Sequence, residues 1–343
     1  MGRLVLVGTK KGLFTIRDGE LGGPELTGWS IFHAVRDPRD GTLYTASNSG
    51  VYGGTVHRSA DGGHTWDRSE PIELPGHELG ELWHVEPGHA SEPEALYLGA
   101  TPGALFRSDD SGHTWQRVTG LTEHPTRERW QPGAGGMCCH SIQVDPAAPS
   151  RLYAAISAAG SFRSEDAGES WTPINAGVAA DFLPDPYPEV GQCVHKLLIH
   201  PARSERLWQQ NHCGVYRSDD RGDTWERLDG NGLPSSFGFP IALDPGDPDV
   251  AYVVPEEGGE NRVTAGGRLG VYRTSDGGST WELHADGLPE QAWSVVLREG
   301  MSWDEQGPVL GTQAGSVWAL ENGHWAELAR DLPPILSVEL ATV

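Results

Sequence analysis

Lysine is almost absent from this sequence. Its 343 residues contain 25 Lys and Arg against 48 Asp and Glu, which gives a formal net charge of −23. Only Lys10, Lys11 and Lys196 are lysines. Nucleic acids and anionic membrane surfaces bind basic protein surfaces. The composition therefore excludes a nucleic-acid partner and a membrane partner from our expectations.

Cysteine and long hydrophobic runs are also scarce. Four Cys are too few for a disulfide-rich scaffold, and no apolar run approaches the roughly 18 residues of a membrane-spanning helix. The apolar stretch in the first residues, MGRLVLVGTKKG, is too short to be the hydrophobic core of a signal peptide. We therefore expect a soluble, cytoplasmic protein.

One octapeptide recurs five times with the pattern S/T-x-D-x-G-x-T/S-W. The copies are SADGGHTW (59–66), SDDSGHTW (108–115), SEDAGESW (164–171), SDDRGDTW (218–225) and TSDGGSTW (274–281). Short hydrophobic strands separated by Gly, Pro and Asp turns surround each copy, and four such strands make one blade of a β-propeller. Degenerate copies at 11–19 and 315–325 raise the number of blades to seven.

The two ends of the chain match different parts of one blade. Residues 335–341 resemble a first strand with nothing after it, whereas 3–28 resemble the later strands of a blade without a first strand. We therefore predict an all-β fold: a single domain, residues 1–343, forming one seven-bladed propeller of four-stranded antiparallel blades. Its C-terminal strand closes the N-terminal blade and leaves no open sheet edge.

The octapeptides resemble the Asp-box, or BNR repeat, of sialidase-like β-propellers. The resemblance implies that each Asp caps a turn on the outer rim. It therefore identifies no catalytic residue in this chain. True sialidases also carry an arginine triad and an R-I-P motif, and the chain has no R-I-P. Two-propeller xyloglucan-active glycosidases share the box at about twice this length. The photosystem II assembly factor shares it too, with an export signal and a basic patch that are not seen here.

Histidine recurs at one position of the predicted inner strands. The seven inner-strand starts read IFHAV (31–35), LWHVE (82–86), CCHSI (138–142), CVHKL (193–197), GFPIA (238–242), QAWSV (291–295) and ILSVE (335–339). Four consecutive blades thus place His33, His84, His140 and His195 in equivalent slots. Equivalent positions lie side by side around the channel, so four imidazoles are expected to face one small volume.

Imidazole is the commonest protein ligand for several transition metals. The four His therefore predict a divalent transition metal, with Zn, Fe, Cu, Ni and Mn as candidates. Two alternatives remain open: repeat-derived His that hydrogen-bond between blades or to water, and a metal-free His cluster that binds a ligand. Cys138 and Cys193 could join a mixed Cys/His site, or the cysteines could simply be buried small hydrophobes.

Other candidates come from the turns and long links expected at the same end of the channel. Lys11, Asn48 and Asn211 with His212 follow second strands, and three long links cover 122–137, 175–192 and 255–268. Long links in a compact fold are usually functional or disordered. Those links supply further candidates for a lid or specificity wall, with surface insertion as the alternative: Trp130, Asp181, Glu256, Arg262 and Arg268.

The sequence leaves three functions open. The first is a metal-dependent enzyme of hydrolase or lyase type with a small anionic substrate. In this hypothesis Glu256 or Asp181 acts as a base, and Lys11, Arg262 and Arg268 attract the anion. The second function is a scaffold for protein interaction or assembly. The third is a small-molecule binding protein without turnover.

Overall fold

The computed structural model describes residues 2–342 as seven four-stranded antiparallel sheets arranged in a ring. Its only helical segments are single turns at Thr119–Thr122, Arg127–Arg129 and Ala265–Gly267. The predicted all-β seven-bladed propeller is confirmed. Within the described residues, no helix has the length and apolar character needed to cross a membrane.

The inner strands line the channel and the second strands pack behind them. The inner strands are β28 (Ile335–Thr342), β4 (Ser30–Arg36), β8 (Leu82–Pro87), β12 (Cys138–Val144), β16 (Val194–His200), β20 (Gly238–Leu243) and β24 (Met301–Asp304). The second strands are β1 (Arg3–Thr9), β5 (Leu43–Ser49), β9 (Leu96–Ala100), β13 (Leu152–Ser157), β17 (Arg203–Asn211), β21 (Ala251–Pro255) and β25 (Gly307–Gly311).

The third and outer strands complete each sheet. The third strands are β2 (Gly12–Arg17), β6 (Gly53–Ser59), β10 (Ala104–Ser108), β14 (Gly160–Ser164), β18 (Gly214–Ser218), β22 (Tyr272–Thr274) and β26 (Val317–Glu321). The outer strands are β3 (Glu20–Glu25), β7 (Asp67–Arg68), β11 (Gln116–Arg117), β15 (Thr172–Pro173), β19 (Glu226–Arg227), β23 (Glu282–Leu283) and β27 (His324–Ala329). Only the two sheets without an octapeptide have six-residue outer strands.

The ring closes as the sequence predicts. β28 pairs with β1 from Arg3 opposite Thr342 to Thr9 opposite Ile335. Each inner strand contacts the next one around the axis, and β24 contacts β28. Every inner strand therefore has a neighbour on both sides, and a side chain in the channel can be reached from several sheets at once.

Large aromatic residues fill the spaces between sheets. A repeated pair, an aliphatic residue followed by an aromatic one, lies in the second strand of five sheets, and the aromatic residues are Tyr44, Tyr97, Tyr153, Trp208 and Tyr252. All five are at most 3 % exposed. Because strand side chains alternate between faces, this repeated position packs each sheet against its neighbour in the same way.

The five octapeptides form five nearly identical turns. In the second copy, Asp110 accepts hydrogen bonds from the Thr114 amide at 2.9 Å and the Thr114 hydroxyl at 2.6 Å. The Ser108 hydroxyl donates to Asp110 at 2.7 Å and accepts from the Gly112 amide at 2.9 Å. The other four copies repeat this pattern. These bonds satisfy the turn and hold the pKa of each Asp below its ordinary value.

The sheet formed by β24 to β27 departs from the sequence prediction. Residues 291–295 were expected to begin its inner strand, but they form no strand, and Trp293 is 71 % exposed. The inner strand begins instead at Met301. The intervening segment enters the channel, where the Glu299 backbone bridges to Ser337 and accepts a hydrogen bond from the Val338 amide at 2.7 Å.

Candidate functional site

The channel contains two cavities. The upper cavity, about 690 Å³, lies where the inner strands begin, and Phe32, Trp83 and Phe239 form part of its wall. The lower cavity, about 800 Å³, lies where the inner strands end, at prolines such as Pro146. Each of the three long links contributes to the wall of the upper cavity. The links therefore enlarge the end of the channel at which the sequence placed the site.

β-Bulges decide which inner-strand side chains reach each level of the channel. In β4 and β8 the unpaired residues are Phe32 and Trp83, whereas His33 and His84 keep regular partners across the sheet. In β12 and β16 the unpaired residues are His140 and His195 themselves. A bulge re-aims the residue it leaves unpaired. His33 and His84 are thus equivalent to Ser141 and Lys196, not to His140 and His195.

The expectation that four imidazoles face one volume is therefore wrong in its geometry. The His33 and His84 rings stack at 4.1 Å between centroids. The Nε2 of His140 donates instead to the carbonyl of Val194 at 2.8 Å, and its ring joins no group of potential metal ligands in the described chain. His195 lies on the wall of the upper cavity. A one-residue shift of the bulge separates these side chains, because side-chain direction changes at each residue of a strand.

A buried ionic cluster separates the two cavities. Glu299 forms an ion pair with the Lys196 ammonium, and its Oε1 lies 3.3 Å from Nδ1 of His84. The Nε2 of His84 in turn donates to Glu86 at 3.1 Å. The His33 ring stacks on that of His84, and its Nε2 lies 4.0 Å from Glu299. Glu299 lines the upper cavity, whereas Lys196 and both imidazoles line the lower one.

The charges in this cluster follow from the contacts. Burial opposes a charged ring at His84, but Glu299 and Glu86 outweigh it and raise the pKa of His84 to about 9. Burial also opposes ionisation of Glu299, yet Lys196 and His84 keep the pKa of its carboxyl well below the ordinary value. Burial, reinforced by the neighbouring His84, lowers the pKa of His33 far enough to keep that ring neutral at pH 7.

Arg298 is the charged residue of the upper cavity that sequence reasoning missed. Its guanidinium carbon lies 5.1 Å from the ring centroid of Trp83 and 5.4 Å from that of Phe239. Its Nε has no hydrogen-bond partner, and no carboxylate in residues 2–342 forms an ion pair with it. Arg262 approaches Phe239 from the loop side, also at 5.4 Å. The sequence feature that could have identified Arg298 is the charged Arg-Glu pair inside the otherwise apolar run at 295–301.

Three potential metal ligands also meet on the wall of the upper cavity. Cys193, His195 and His212 each direct one ligand atom into a group whose members lie within 4.8 Å of one another. Burial lowers the pKa of both imidazoles, and Arg262 adds to this effect, so the two rings are neutral at pH 7. A second group of potential ligands consists of His33, His84 and Glu299. The carboxylate of Glu299 in this group already forms an ion pair with the Lys196 ammonium.

The other cysteines differ in their surroundings. Cys138 lines the upper cavity, and its thiol donates to the Gly135 carbonyl at 3.0 Å. Burial raises the pKa of that thiol to about 11. Cys139 and Cys213 are buried, and all four cysteines are free thiols. Cys193 is thus the thiol that accompanies imidazoles at the cavity wall.

The three residues predicted to be catalytic lie outside the wall of the upper cavity. Lys11 and Asp181 are exposed, and Asp181 lies 3.7 Å from Arg227. Glu256 is fully buried, and neither carboxylate oxygen has a hydrogen-bond partner in the described chain. Burial raises the pKa of Glu256 to about 8, against the opposing effect of Arg262.

The predicted ligand-binding residues divide into two groups. His212 and Arg262 line the upper cavity, and Arg268 is exposed away from it. The other three make contacts that stabilise the fold: Trp130 packs in the core, and Asn48 and Asn211 form buried hydrogen bonds. The indole of Trp130 donates to Thr126 at 2.9 Å, and the Asn48 amide donates to the Leu82 carbonyl of the next sheet at 2.8 Å. Asn211 is fully buried and accepts from the Cys213 amide at 3.1 Å.

Comparison with curated proteins finds partial relatives. A xyloglucanase of Paenibacillus sp is 29 % identical over 166 residues, which is 43 % of this chain and 14 % of the relative. Xyloglucanase Xgh74A of Acetivibrio thermocellus is 27 % identical over 165 residues, or 18 % of its length. The alignments thus span less than a fifth of these relatives. No protein-family model matches the chain.

Solved structures show the same fold at low identity. The GH74 enzyme of Niastella koreensis superposes with a TM-score of 0.62 and 15 % identity, covering 96 % of this chain and 51 % of that one. YCF48 bound to D1 peptide superposes with a TM-score of 0.56 and 17 % identity, covering 96 % of this chain and 88 % of that one. The structural neighbours thus include GH74 and YCF48 propellers and do not single out the sialidases, and the likeness establishes the β-propeller fold.

Proposed function

We propose that this chain is an enzyme of hydrolase or lyase type that acts on a small anionic molecule in the upper cavity. The observation that carries the proposal is the guanidinium of half-buried Arg298, which lies in the cavity wall and forms no ion pair with any carboxylate of residues 2–342. Removing an unpaired charge from water costs several kcal/mol, by order of magnitude. An anionic ligand would compensate that cost.

The shape of the cavity agrees with such a ligand. Its volume of about 690 Å³ falls within the roughly 300–1,000 Å³ of small-molecule sites, which are mostly apolar with a few convergent polar groups. Phe32, Trp83 and Phe239 supply the apolar wall, and Arg262 supplies a second cation. A small carboxylate or phosphate that also carries an apolar or aromatic part fits this combination.

The chemistry would come from the neutral imidazoles on the same wall. His195 and His212 can accept a proton or bind a metal at pH 7, because burial keeps both rings uncharged. A divalent transition metal remains part of the proposal, with His195 as the predicted ligand that faces this cavity. Glu299 is a weaker candidate for a base, since its ionised carboxylate is held by Lys196.

Hydrolysis of a polysaccharide is the second candidate, because the partial relatives are xyloglucanases. Most glycoside hydrolases place two carboxyl groups on either side of the bond they cleave. The acidic residues recorded on the upper wall are Glu260, which is exposed, and Glu299, which is paired with Lys196. This composition favours the anionic small molecule over the glycan.

A binding experiment tests the anion site directly. Benzoate and phenyl phosphate would be titrated into metal-free protein by calorimetry, beside the neutral analogue benzamide. We expect the two acids to bind and the amide not to bind. Charge-assisted hydrogen bonds contribute about 1.5–3 kcal/mol, so Arg298→Gln should weaken the acids by about 10- to 150-fold. Arg268→Gln, an exposed arginine outside the cavity wall, is the matched control.

Turnover is tested with chromogenic anions. Metal-supplemented protein would be assayed on p-nitrophenyl phosphate and on p-nitrophenyl esters that carry a carboxylate, with xyloglucan as the glycan substrate. Cleavage of the anionic substrates that is lost in Arg298→Gln supports the proposal. Unchanged binding of acids by Arg298→Gln, or cleavage of xyloglucan alone, contradicts it.

A further inference from the structure

Cys193, His195 and His212 are spaced as ligands of a tetrahedral metal. The Sγ of Cys193 lies 3.7 Å from Nε2 of His195, and the ligand atoms of all three residues fall within 4.8 Å of one another. Zinc binds sulfur at about 2.3 Å and imidazole nitrogen at about 2.0–2.1 Å, so tetrahedral geometry separates such a pair by about 3.6 Å. The cysteine and the first imidazole therefore already have the spacing that the metal requires.

The orientation of the His195 ring also suits a ligand. Its Nδ1 donates to the backbone carbonyl of Gly238 at 2.6 Å, which places the ring proton on that nitrogen and leaves Nε2 to accept from the Cys193 thiol. Metal-binding imidazoles almost always donate their second ring N–H to a carboxylate, a backbone carbonyl or water, and this partner fixes both tautomer and orientation. Gly238 provides that partner from the neighbouring sheet.

The three residues are held by one rigid hairpin. Cys193 directly precedes β16, His195 is the bulged residue of β16, and His212 directly follows β17. The amide of His212 donates to the Cys193 carbonyl at 2.9 Å, which fixes the distance between the two ends of the group. The His212 ring packs edge-on to Phe237 at 5.0 Å and to Phe182 at 5.3 Å. Backbone pairing and aromatic packing thus preorganise the donors.

We propose that Cys193, His195 and His212 form a binding site for a divalent transition metal, with zinc as the preferred ion and the fourth position open to the upper cavity. A thiolate with two imidazoles is a donor set typical of zinc, and three protein ligands with one open position are typical of catalytic zinc. Of the four histidines predicted from the sequence to be metal ligands, His195 is the one that belongs to this site. In the group of His33, His84 and Glu299, by contrast, an ammonium already neutralises the carboxylate.

The metal would complete the chemistry of the cavity. Zinc held by Cys193, His195 and His212 would supply Lewis-acid chemistry, either by polarising the substrate or by activating water near neutral pH. A zinc–thiolate pair adds one net positive charge beside Arg298 and Arg262, which strengthens the preference for anions. This catalytic role rests on the proposed function, whereas binding of the metal does not.

Cobalt substitution tests the site. Protein treated with a chelator would be titrated with Co²⁺, and then with Zn²⁺ as competitor. We expect one equivalent of Co²⁺ to give a thiolate-to-cobalt charge-transfer band in the near ultraviolet, and Zn²⁺ to abolish it. Cys193→Ser should eliminate the band. His212→Ala should weaken Zn²⁺ binding by more than about 100-fold, beyond the range for losing a group that only supports a ligand.

Two control variants make the test specific. Cys138→Ser removes a thiol from the same cavity wall, and His140→Gln removes a buried imidazole that bonds between sheets. Both should keep the band and the affinity. Absence of a charge-transfer band in the parent protein, or its persistence in Cys193→Ser, overturns the proposal. So does Zn²⁺ binding that is lost in His84→Gln and kept in His212→Ala, because it places the metal in the ionic cluster.

Circular dichroism melting of each variant separates ligand loss from unfolding. His212 is the most informative position, because it lies in a half-exposed turn outside the core. Anion binding by metal-free protein, measured with the Arg298 variant, is independent of these outcomes. A failed metal test with intact anion binding therefore overturns the metal site and leaves the anion site of the proposed function standing. The reverse result overturns the anion site and leaves the metal site standing.

Discussion

The octapeptide turns and the aligned histidines are both sequence repeats, but only the first repeat is also a structural repeat. All five turns have the same Asp hydrogen bonds at nearly the same distances. The four histidines divide into three environments: His33 and His84 in the ionic cluster, His140 between sheets, and His195 on the upper cavity wall. A repeated sequence therefore does not guarantee a repeated contact.

The range of the contacts explains this difference. The Ser or Thr hydroxyl and the Asp carboxylate of an octapeptide turn bond to residues two or four positions apart, so every copy contains its own partners for these two groups. A channel histidine is surrounded by side chains from other sheets. Glu299, for example, reaches His84 and Lys196 across 215 and 103 residues of sequence.

Glu299→Gln should be the most destabilising of these substitutions. It leaves the Lys196 ammonium buried without its ion-pair partner and leaves the charged His84 ring with Glu86 alone. Breaking a buried ion pair costs about 3–5 kcal/mol. Urea unfolding at pH 7 measures the loss. Glu305→Gln, at an exposed position, should change the free energy of unfolding by less than about 0.5 kcal/mol. A loss below about 1 kcal/mol for Glu299→Gln would show that the cluster is not a tightly coupled unit.

Glu256→Gln should stabilise the protein at high pH. Burial raises the pKa of Glu256 from 4.5 to about 8 in the folded state. Between these values the folded state holds a proton that the unfolded state has released, so wild-type stability falls as pH rises from about 4.5 to about 8 and stays low above that. Gln has no such loss. Its advantage at pH 8 should be on the order of 2–4 kcal/mol, from about 1.36 kcal/mol per pKa unit.

Urea midpoints of wild type and Glu256→Gln at pH 5 and pH 8 measure this effect. The advantage of the variant should be small at pH 5 and grow toward pH 8. Glu260→Gln is the control, because its carboxylate lies exposed on the same loop. A constant difference between wild type and Glu256→Gln over this range would mean that Glu256 does not titrate there.

Ser108→Ala and Ser218→Ala should destabilise the protein to the same extent. Each substitution removes the hydroxyl that accepts the Gly112 or the Gly222 amide in its turn, and an unsatisfied buried donor costs about 1–3 kcal/mol. We expect losses of about 1–2 kcal/mol that agree within about 0.5 kcal/mol. Thermal and urea unfolding compare the two. A difference above about 1 kcal/mol would break the equivalence of the turns.

Lys11→Ala and Arg268→Gln should have the smallest effects. Both side chains are exposed and lie outside the upper cavity wall, so we expect changes below about 0.5 kcal/mol in stability and unchanged binding of benzoate. Unfolding and calorimetry measure both quantities. Loss of ligand binding in Lys11→Ala would restore the role that the sequence suggested for this residue.

The sequence predicted the fold more completely than the site. The number of blades, the closing strand and the octapeptide turns depend on patterns within about 50 residues, and such patterns are legible in a repeat. The candidate site residues that lie on the upper cavity wall are Cys138, Cys193, His195, His212 and Arg262. Arg298 and Glu299 were missed because their segment replaces the predicted inner strand at 291–295 and does not align with the other blades.

The sequence alone determined that seven similar units close into a ring, because each unit contains its own strands, turns and packing residues. The tertiary structure alone decided which charged side chains meet in the channel. A bulge placed one residue later in β16 than in β8 puts Lys196 at the level of His84 and moves His195 to the cavity above. Strand side chains change direction at every residue, so this local shift, invisible in the aligned sequence, sets the chemistry of the site.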